Sequence, residues 1–463
     1  MSDDHLSIVL VTVDSLRADA LGCYGGDADT PNLERLAEES ILFETAYATA
    51  SDTTQSFPGI LASNYPTTGG TCQNVGARVT VAEALRAVDY RTGAFHSNPL
   101  LSRAKGYARG FETFYDSLAA GEDWSEETPD GLTARLKGAA ARRFPRLFGV
   151  ARRLFRRARR RFVPVEQPHE PADQISQRAL RWLQGAERPL LLWVHYMDPH
   201  WPYATRLPGM SEQEQRRAYR LSDTALKNPE RLTSCDIERL RGYYRAELEH
   251  LDAGVGLLLD GLPDGCAVAL TADHGQGFAE HERCFHGDLL YEEFIRVPLI
   301  LRIPGERAAR RSGVHSLIDL APTLCELAGV EPPEVYEGES LLSGAGGQAA
   351  FAETAYRSFV SERPRRAAVR AGEWKLIRDL ELGREELYHL ADDPGETRSV
   401  RAERPEEMTR LSRALDAHLS RPRPEPGERP VAEPLQEKEK EELRRRLAAL
   451  GYVDEARELD EQE

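Results

Sequence analysis

The chain alternates short apolar runs, each closed by a polar residue, with stretches whose apolar positions recur every three or four residues. Ser7 to Val13 is apolar and β-branched and runs into Asp14, and Ala267 to Leu270 runs into Thr271-Ala272-Asp273-His274-Gly275. Further short runs lie near Phe95 and before His195. Runs apolar on both faces read as fully buried strands, and the intervening period of 3.6 reads as amphipathic helix. The helical pattern predicts helices over Glu34 to Glu39, Ala82 to Ala87, Asp173 to Gln184 and Ile237 to Leu259. This alternation continues to about residue 335 and predicts an α/β fold, a mostly parallel sheet flanked by helices on both faces.

After Pro332-Pro333 the rhythm shortens. Candidate strands cover Ala350 to Ala355, Ala367 to Ala371, Lys375 to Arg378 and Leu387 to Leu390, followed by an amphipathic helix at Pro405 to Leu419. The expected organisation is a catalytic domain over 1–335, a small antiparallel α+β subdomain over 336–420, and a linker with a C-terminal helix over 421–463. The linker, 421–434, is rich in proline and charge. The helix, Glu437 to Tyr452, carries Leu443, Leu447 and Leu450 on one stripe, which suits packing on the enzyme or on a second subunit.

In an open α/β sheet, chemistry collects in the crevice beyond the strand ends. Asp14, Asp273 and His274, more than 250 residues apart in sequence, are therefore candidates for one site. A single Asp after a strand also serves as a helix N-cap or a turn residue. An adjacent carboxylate and imidazole at a buried strand end is harder to place without a partner or a metal, and Gly275 permits close backbone approach.

The segment Val11-Thr-Val-Asp14-Ser-Leu-Arg17-Ala-Asp19-Ala-Leu-Gly22-Cys-Tyr24-Gly25, followed by Thr30-Pro31-Asn32-Leu33, resembles the N-terminal signature of the sulfatase family, within the alkaline-phosphatase superfamily. The resemblance extends to His195-Tyr-Met-Asp198-Pro-His200-Trp-Pro-Tyr203, Asp273-His274-Gly275, His286-Gly287 and Tyr291-Glu-Glu-Phe-Ile-Arg296-Val-Pro298. Leu317-Ile-Asp319-Leu-Ala-Pro322-Thr323-Leu324, Arg370-Ala-Gly-Glu-Trp374-Lys375-Leu376 and Leu387-Tyr388-His-Leu-Ala-Asp-Asp393-Pro394-Gly395 continue it, in the family's order and over nearly the whole chain.

Sulfatases proper carry a Cys-x-Pro-x-Arg or Ser-x-Pro-x-Arg segment whose first residue matures to formylglycine, and this chain has no such segment. Counting back from Tyr65-Pro66, the resemblance puts the nucleophile slot on Thr53, in Ser51-Asp52-Thr53-Thr54-Gln55-Ser56-Phe57-Pro58, with Thr54 as the second choice. No formylglycine is expected. A threonine hydroxyl on a divalent cation can attack phosphorus or sulfur in line. The same residues could simply cap a helix through Ile60 and Leu61, and a nucleophile at a helix N-terminus gains from the free N–H groups there.

The resemblance implies that Asp14, Thr53, Asp273 and His274 hold one divalent metal ion. Mixed oxygen and nitrogen ligands favour manganese or zinc, while magnesium or calcium is compatible. Ser15 stands where many sulfatases have a second Asp. His200 and His286 match substrate-facing positions, where they would meet the charge of the transferring group, and His286 could protonate the leaving oxygen. Asn98 falls where sulfatases often place a Lys and could orient the substrate. Arg17 suits pairing with a nearby carboxylate, and its closeness to Asp14 also leaves an anion-binding role open. A second cation held by Asp198, His200 and His286 is the alternative, disfavoured because Asp198 and His200 are only two residues apart around a proline.

The chain has 463 residues, 41% of them hydrophobic, enough to bury a large sheet. Its net charge of −16 argues against nucleic acid as a partner. Against that background, Arg135 to Arg161 holds twelve basic residues and no acidic ones, interleaved with Phe and Leu. This insertion, about 134–163, suits peripheral contact with anionic lipid, cover over a polyanionic substrate, or pairing with the acidic body. The six cysteines show no paired spacing, and no signal peptide or membrane helix is visible, so a cytoplasmic location is expected. The sequence does not fix the oligomeric state.

The function expected is a metal-dependent hydrolase of sulfate or phosphate esters with a threonine nucleophile. Phosphoester activity should match or exceed sulfatase activity, on an anionic ester substrate that is glycan- or lipid-linked. The alternatives are a transferase moving a phospho-group onto a glycan or lipid, and a binding scaffold without turnover.

Overall fold

The computed structural model describes residues 5–68, 74–118, 169–203, 210–343, 347–355, 365–424 and 435–450. The basic insertion and most of the proline-rich linker lie outside the described residues.

Eight strands form the main sheet: β1 (Ile8–Val13), β2 (Ile41–Phe43), β3 (Arg91–His96), β4 (Thr113–Tyr115), β5 (Leu190–Tyr196), β6 (Ala267–Ala272), β7 (Leu299–Arg302) and β8 (Ala309–Arg311), in the spatial order β8-β2-β7-β6-β1-β5-β3-β4. β1 is parallel to both β5 and β6, with Val13 level with Tyr196 on one side and Ala272 on the other. The residues that follow those strands therefore emerge together at one edge, which brings Asp14 beside Asp273. Of the eight, β7 is the strand that runs against its neighbours. β1, β5 and β6 are buried along their whole length, as their unbroken apolar sequence requires.

Ten helices accompany the strands among the described residues: α1 (Pro31–Glu38), α2 (Thr53–Ala62), α3 (Val81–Arg86), α4 (Ala172–Leu183), α5 (Glu212–Lys227), α6 (Ser234–Gly261), α7 (Glu292–Ile295), α8 (Leu320–Leu327), α9 (Pro405–Ser420) and α10 (Glu437–Ala449). The four helices expected from periodicity correspond to α1, α3, α4 and α6. α1 starts three residues earlier than its apolar pattern, because Pro31 occupies its first turn, where a missing N–H costs nothing. None of the described helices is long and apolar enough to cross a membrane.

The C-terminal sheet is antiparallel, in the order β9 (Ala349–Glu353), β10 (Arg366–Ala371), β11 (Trp374–Asp379) and β12 (Glu385–His389). One face packs on α9 through Leu411 and Leu415. The other joins Leu290, Phe294 and Ile295 beside the main sheet. Lys375, fully buried, spans the junction by pairing with Glu292 at 2.9 Å and Glu396 at 3.0 Å.

The C-terminal helix packs on this same chain. Leu443 and Leu447 of α10 meet Leu100 and Leu118, and Arg446 donates to the Ser117 carbonyl at 3.1 Å. Arg446 and Glu439 also reach Ser117 Oγ and Arg103, respectively, on the same surface.

Candidate active site

Asp14, Asp273 and His274 each offer one ligand atom within 4.8 Å of the others, the group of this kind found among the described residues. All three side chains are buried. Ser15 clamps the two carboxylates. Its N–H donates to Asp273 Oδ1 at 3.2 Å, its hydroxyl donates to Asp14 Oδ1 at 2.7 Å, and its φ of 59° lies in the left-handed region. That conformation is uncommon for a residue with a Cβ.

His274 is locked from behind: Nδ1 stands 2.9 Å from the Gly275 carbonyl, so it carries the proton and Nε2 faces the carboxylates. Nε2 lies 3.8 Å from Asp14 Oδ1 and 3.6 Å from Asp273 Oδ2. A backbone carbonyl behind the ring is the usual support of a metal-binding imidazole. Gly275 is required by space, because a Cβ there would stand 2.1 Å from the Glu293 carbonyl oxygen. Gly275 and Gln276 donate to the carbonyls of Phe294 and Glu293, at 2.8 and 2.7 Å, and so tie this turn to α7.

Thr53 opens α2. Its Oγ1 lies 3.3 Å from His274 Nε2 and 3.4 Å from Asp14 Oδ2. Thr54 Oγ1 instead donates to Asp52 Oδ1 at 2.8 Å. Asp52 is the N-cap of the helix, accepting from the Gln55 N–H at 3.0 Å. The two threonines that sequence left as alternatives thus face different partners. Asn98, in the turn after β3, donates from Nδ2 to Asp14 Oδ2 at 3.0 Å.

His200 and His286 form the opposite wall, Nε2 to Nε2 at 3.0 Å. His200 Nδ1 faces the Trp201 carbonyl at 2.5 Å and so holds a proton, which leaves its Nε2 as acceptor and puts a proton on His286 Nε2. The His286 ring also lies against His274, centroids 4.6 Å apart and planes tilted by 39°. Asp198 turns away from this pair. Its Oδ1 accepts from the Ala172 N–H at 3.0 Å and lies 3.9 Å from His250 Nε2, and among the described residues Asp198, His200 and His286 do not form a group of ligand atoms close enough to share a cation. Arg17 is also occupied elsewhere, by Asp19 at 2.6 Å and Glu280 at 3.0 Å, and it donates to the Gln276 carbonyl.

The electrostatics divide the two acids. Burial alone would raise the Asp14 carboxyl, but the surrounding histidines, His200 and His274 foremost, hold it below the usual carboxylate range. Burial, and then the neighbouring Asp14, push Asp273 up. His274 is raised because the two carboxylates outweigh its burial. Burial lowers His200 and His286. Asp273 Oδ2 accepts no hydrogen bond within 3.5 Å. A buried carboxylate oxygen without a donor, two carboxylates at close range and an outward imidazole lone pair fit a divalent cation.

Two residues that the sequence did not single out for the site also reach it. His195, at the end of β5, has Nε2 3.9 Å from Asp14 Oδ2. His169 is buried within the electrostatic field of His200 and Asp14. The first was hidden by its apolar strand; the second lies a few residues past the insertion and had no patterned surroundings.

A family model described as Sulfatase matches residues 7–330, and one described as N-sulphoglucosamine sulphohydrolase, C-terminal, matches 279–425. Among curated proteins, the uncharacterized sulfatase YidJ of Escherichia coli K12 is 25% identical over 427 residues, covering 85% of this chain and 82% of that one. A protein solved with its substrate D-glucosamine-2-N,6-O-disulfate aligns with a TM-score of 0.67 at 19% identity, over 89% of this chain and 97% of that one. The phosphonate monoester hydrolase of Agrobacterium radiobacter aligns with a TM-score of 0.66 at 20% identity, over 90% and 95%.

Proposed function

Because the chain belongs to the sulfatase family and is a hydrolase of ester bonds, we propose that it cleaves phosphate or sulfate esters by in-line attack of Thr53 Oγ1, with phosphoester turnover at least equal to sulfatase turnover. The observation that carries this reading is the contact of Thr53 Oγ1 with both Asp14 and His274. The shared fold of the Agrobacterium radiobacter phosphonate monoester hydrolase supports phosphorus as a target. The protein solved with a disulfated glucosamine supports a charged sugar ester.

Asp14, Asp273, His274 and Thr53 would hold a divalent cation, with manganese or zinc best suited to the mixed donors. Such a cation supplies Lewis acidity and lowers the pKa of a hydroxyl beside it. The chain's own residues do the rest. Asp14 and Asp273 orient His274 and Thr53, and the start of α2 directs free N–H groups toward the developing charge. Asn98 steadies Asp14 Oδ2 from the same edge. The Thr53 hydroxyl proton passes to solvent as Oγ1 bonds to phosphorus or sulfur and the bond to the leaving oxygen breaks. His286 gives its Nε2 proton to that oxygen and takes up another from solvent at Nδ1, while His200 Nε2 accepts the His286 hydrogen bond and holds that ring in place. Water or an acceptor alcohol then releases the threonine ester.

The test measures initial rates on aryl sulfate, aryl phosphate and bis-aryl phosphodiester, with Mn, Zn, Mg and Ca each added to metal-stripped wild type and Thr53→Ala. Metal-dependent turnover that disappears in Thr53→Ala is the expected result. Full turnover in that variant overturns the reading, and turnover seen only with an added acceptor alcohol redirects it to a transferase.

A further inference from the structure

The Asn98 amide has all of its polar atoms spoken for in one direction. Oδ1 accepts from the Leu100 N–H at 2.9 Å, which fixes the orientation of the amide. Nδ2 then directs one hydrogen to Asp14 Oδ2 at 3.0 Å and the other to His195 Nε2 at 3.3 Å. His195 Nε2 must therefore be an acceptor, so its proton sits on Nδ1. Nδ1 faces Thr12 Oγ1 at 3.0 Å, an oxygen that already accepts from the Trp193 indole N–H at 2.9 Å. The strand register dictates this chain of contacts, since Thr12 of β1 is level with His195 of β5. Phe57 of α2 closes on the imidazole edge to face, centroids 5.1 Å apart at 87°. His195 is fully buried, and its Nε2 lies 3.9 Å from Asp14 Oδ2.

We propose that His195 is a positioning residue for the reaction: its Nε2 lone pair holds the Asn98 amide against Asp14, and Thr12 fixes the imidazole in the tautomer that can do so. The proposal rests on the reading of Asp14 and Thr53 given above. A residue behind the ligands acts by fixing the angle of a carboxylate oxygen, and losing such support lowers metal affinity or activity about 10–100-fold.

The histidine isosteres separate positioning from mere space-filling. Glutamine places its carbonyl near Nε2 and can still accept from Asn98. Asparagine reaches only the Nδ1 position and cannot. Wild type, Thr53→Ala, Asn98→Ala, His195→Gln, His195→Asn and the Asn98→Ala/His195→Asn double variant are assayed with bis-para-nitrophenyl phosphate and Mn²⁺. Mn²⁺ affinity is measured by calorimetry on the same samples. His195→Gln should stay close to wild type in kcat and in affinity. His195→Asn should fall about 10–100-fold in one or both, and the double variant should fall no further than Asn98→Ala.

Equal losses in the two isosteres, or losses that multiply in the double variant, overturn the proposal. Should His195→Asn fail to fold, Thr12→Val carries the test. It is nearly isosteric and removes the acceptor for Nδ1–H, so unchanged kcat and affinity in Thr12→Val overturn the proposal equally. Thr53→Ala separates the two levels: full turnover there sinks the nucleophile assignment itself, whereas its loss alongside an indifferent His195→Asn sinks the positioning role alone.

Discussion

Thr53 Oγ1 stands 3.3 Å from His274 Nε2, although 221 residues separate the two in the chain. The helix start that presents one and the strand end that presents the other meet because α2 lies against the β6 edge, where Ser56 Oγ donates to the Asp273 carbonyl at 2.6 Å.

The neighbouring threonines should separate cleanly. Thr53→Ala loses about 10³-fold or more in kcat, as removal of a nucleophile does, and Thr53→Ser keeps part of the rate. Thr54→Ala keeps kcat and costs about 1 kcal/mol of stability for its hydrogen bond to Asp52. Rates beside thermal melts decide it; a Thr54→Ala variant as inactive as Thr53→Ala would reverse the assignment.

Asp273 is a liability without a cation. With Oδ2 lacking a donor and Asp14 adjacent, Asp273→Asn should raise the stability of metal-stripped protein by about 1–3 kcal/mol. Mn²⁺ at a hundred times its Kd should add about 2.7 kcal/mol to wild type and little to the variant. Melting curves with and without Mn²⁺ check this, and a variant less stable than wild type under both conditions refutes it.

Acid sensitivity should trace in part to His96. Burial pushes its imidazole from 6.5 down to about 4. Between those values the unfolded chain is protonated and the folded one is not, so stability is full above pH 6.5 and falls as pH drops toward 4, by about 3 kcal/mol in all. His96 packs against the rings of Phe114 and Trp193, so His96→Phe keeps the aromatic contacts. Its Tm should fall less than that of wild type between pH 7 and pH 5, and parallel curves would dismiss His96 as a cause.

Gly275→Ala should damage the site through the backbone. The Glu293 carbonyl must retreat from the new Cβ, at a cost of about 1–3 kcal/mol, and His274 shifts with it. Reduced Tm together with weakened Mn²⁺ binding is expected by calorimetry. Gly185→Ala, with nothing within 4 Å of its added Cβ, is the control, and a Gly275→Ala variant that matches it would show that the close approach is not needed.

The acids were legible in the sequence because they end unbroken apolar strands, and a strand end in an α/β sheet has a known geometric meaning. Thr53 was placed by its spacing from Tyr65-Pro66 within a family resemblance, since four consecutive hydroxyl or carboxyl side chains from Ser51 to Thr54 give no period of their own. α5 escaped notice for a physical reason: its buried positions are Ala218, Ser222 and Ala225, too small to make an apolar stripe. The reversed direction of β7 is invisible because a short buried strand has the same composition whichever way it runs. His195 could not be singled out as a support for Asn98, because that role depends on β1–β5 register, which no local pattern encodes.

The packing of α10 over Leu100 imposes an order on biosynthesis. Leu100, whose N–H orients the Asn98 amide, leaves the ribosome about 340 residues ahead of Leu443. At about 5–20 residues per second the nascent protein spends roughly 20–70 s with Leu100 and Leu118 lacking their cover. The Asn98 turn is therefore among the last parts of the catalytic edge to be covered.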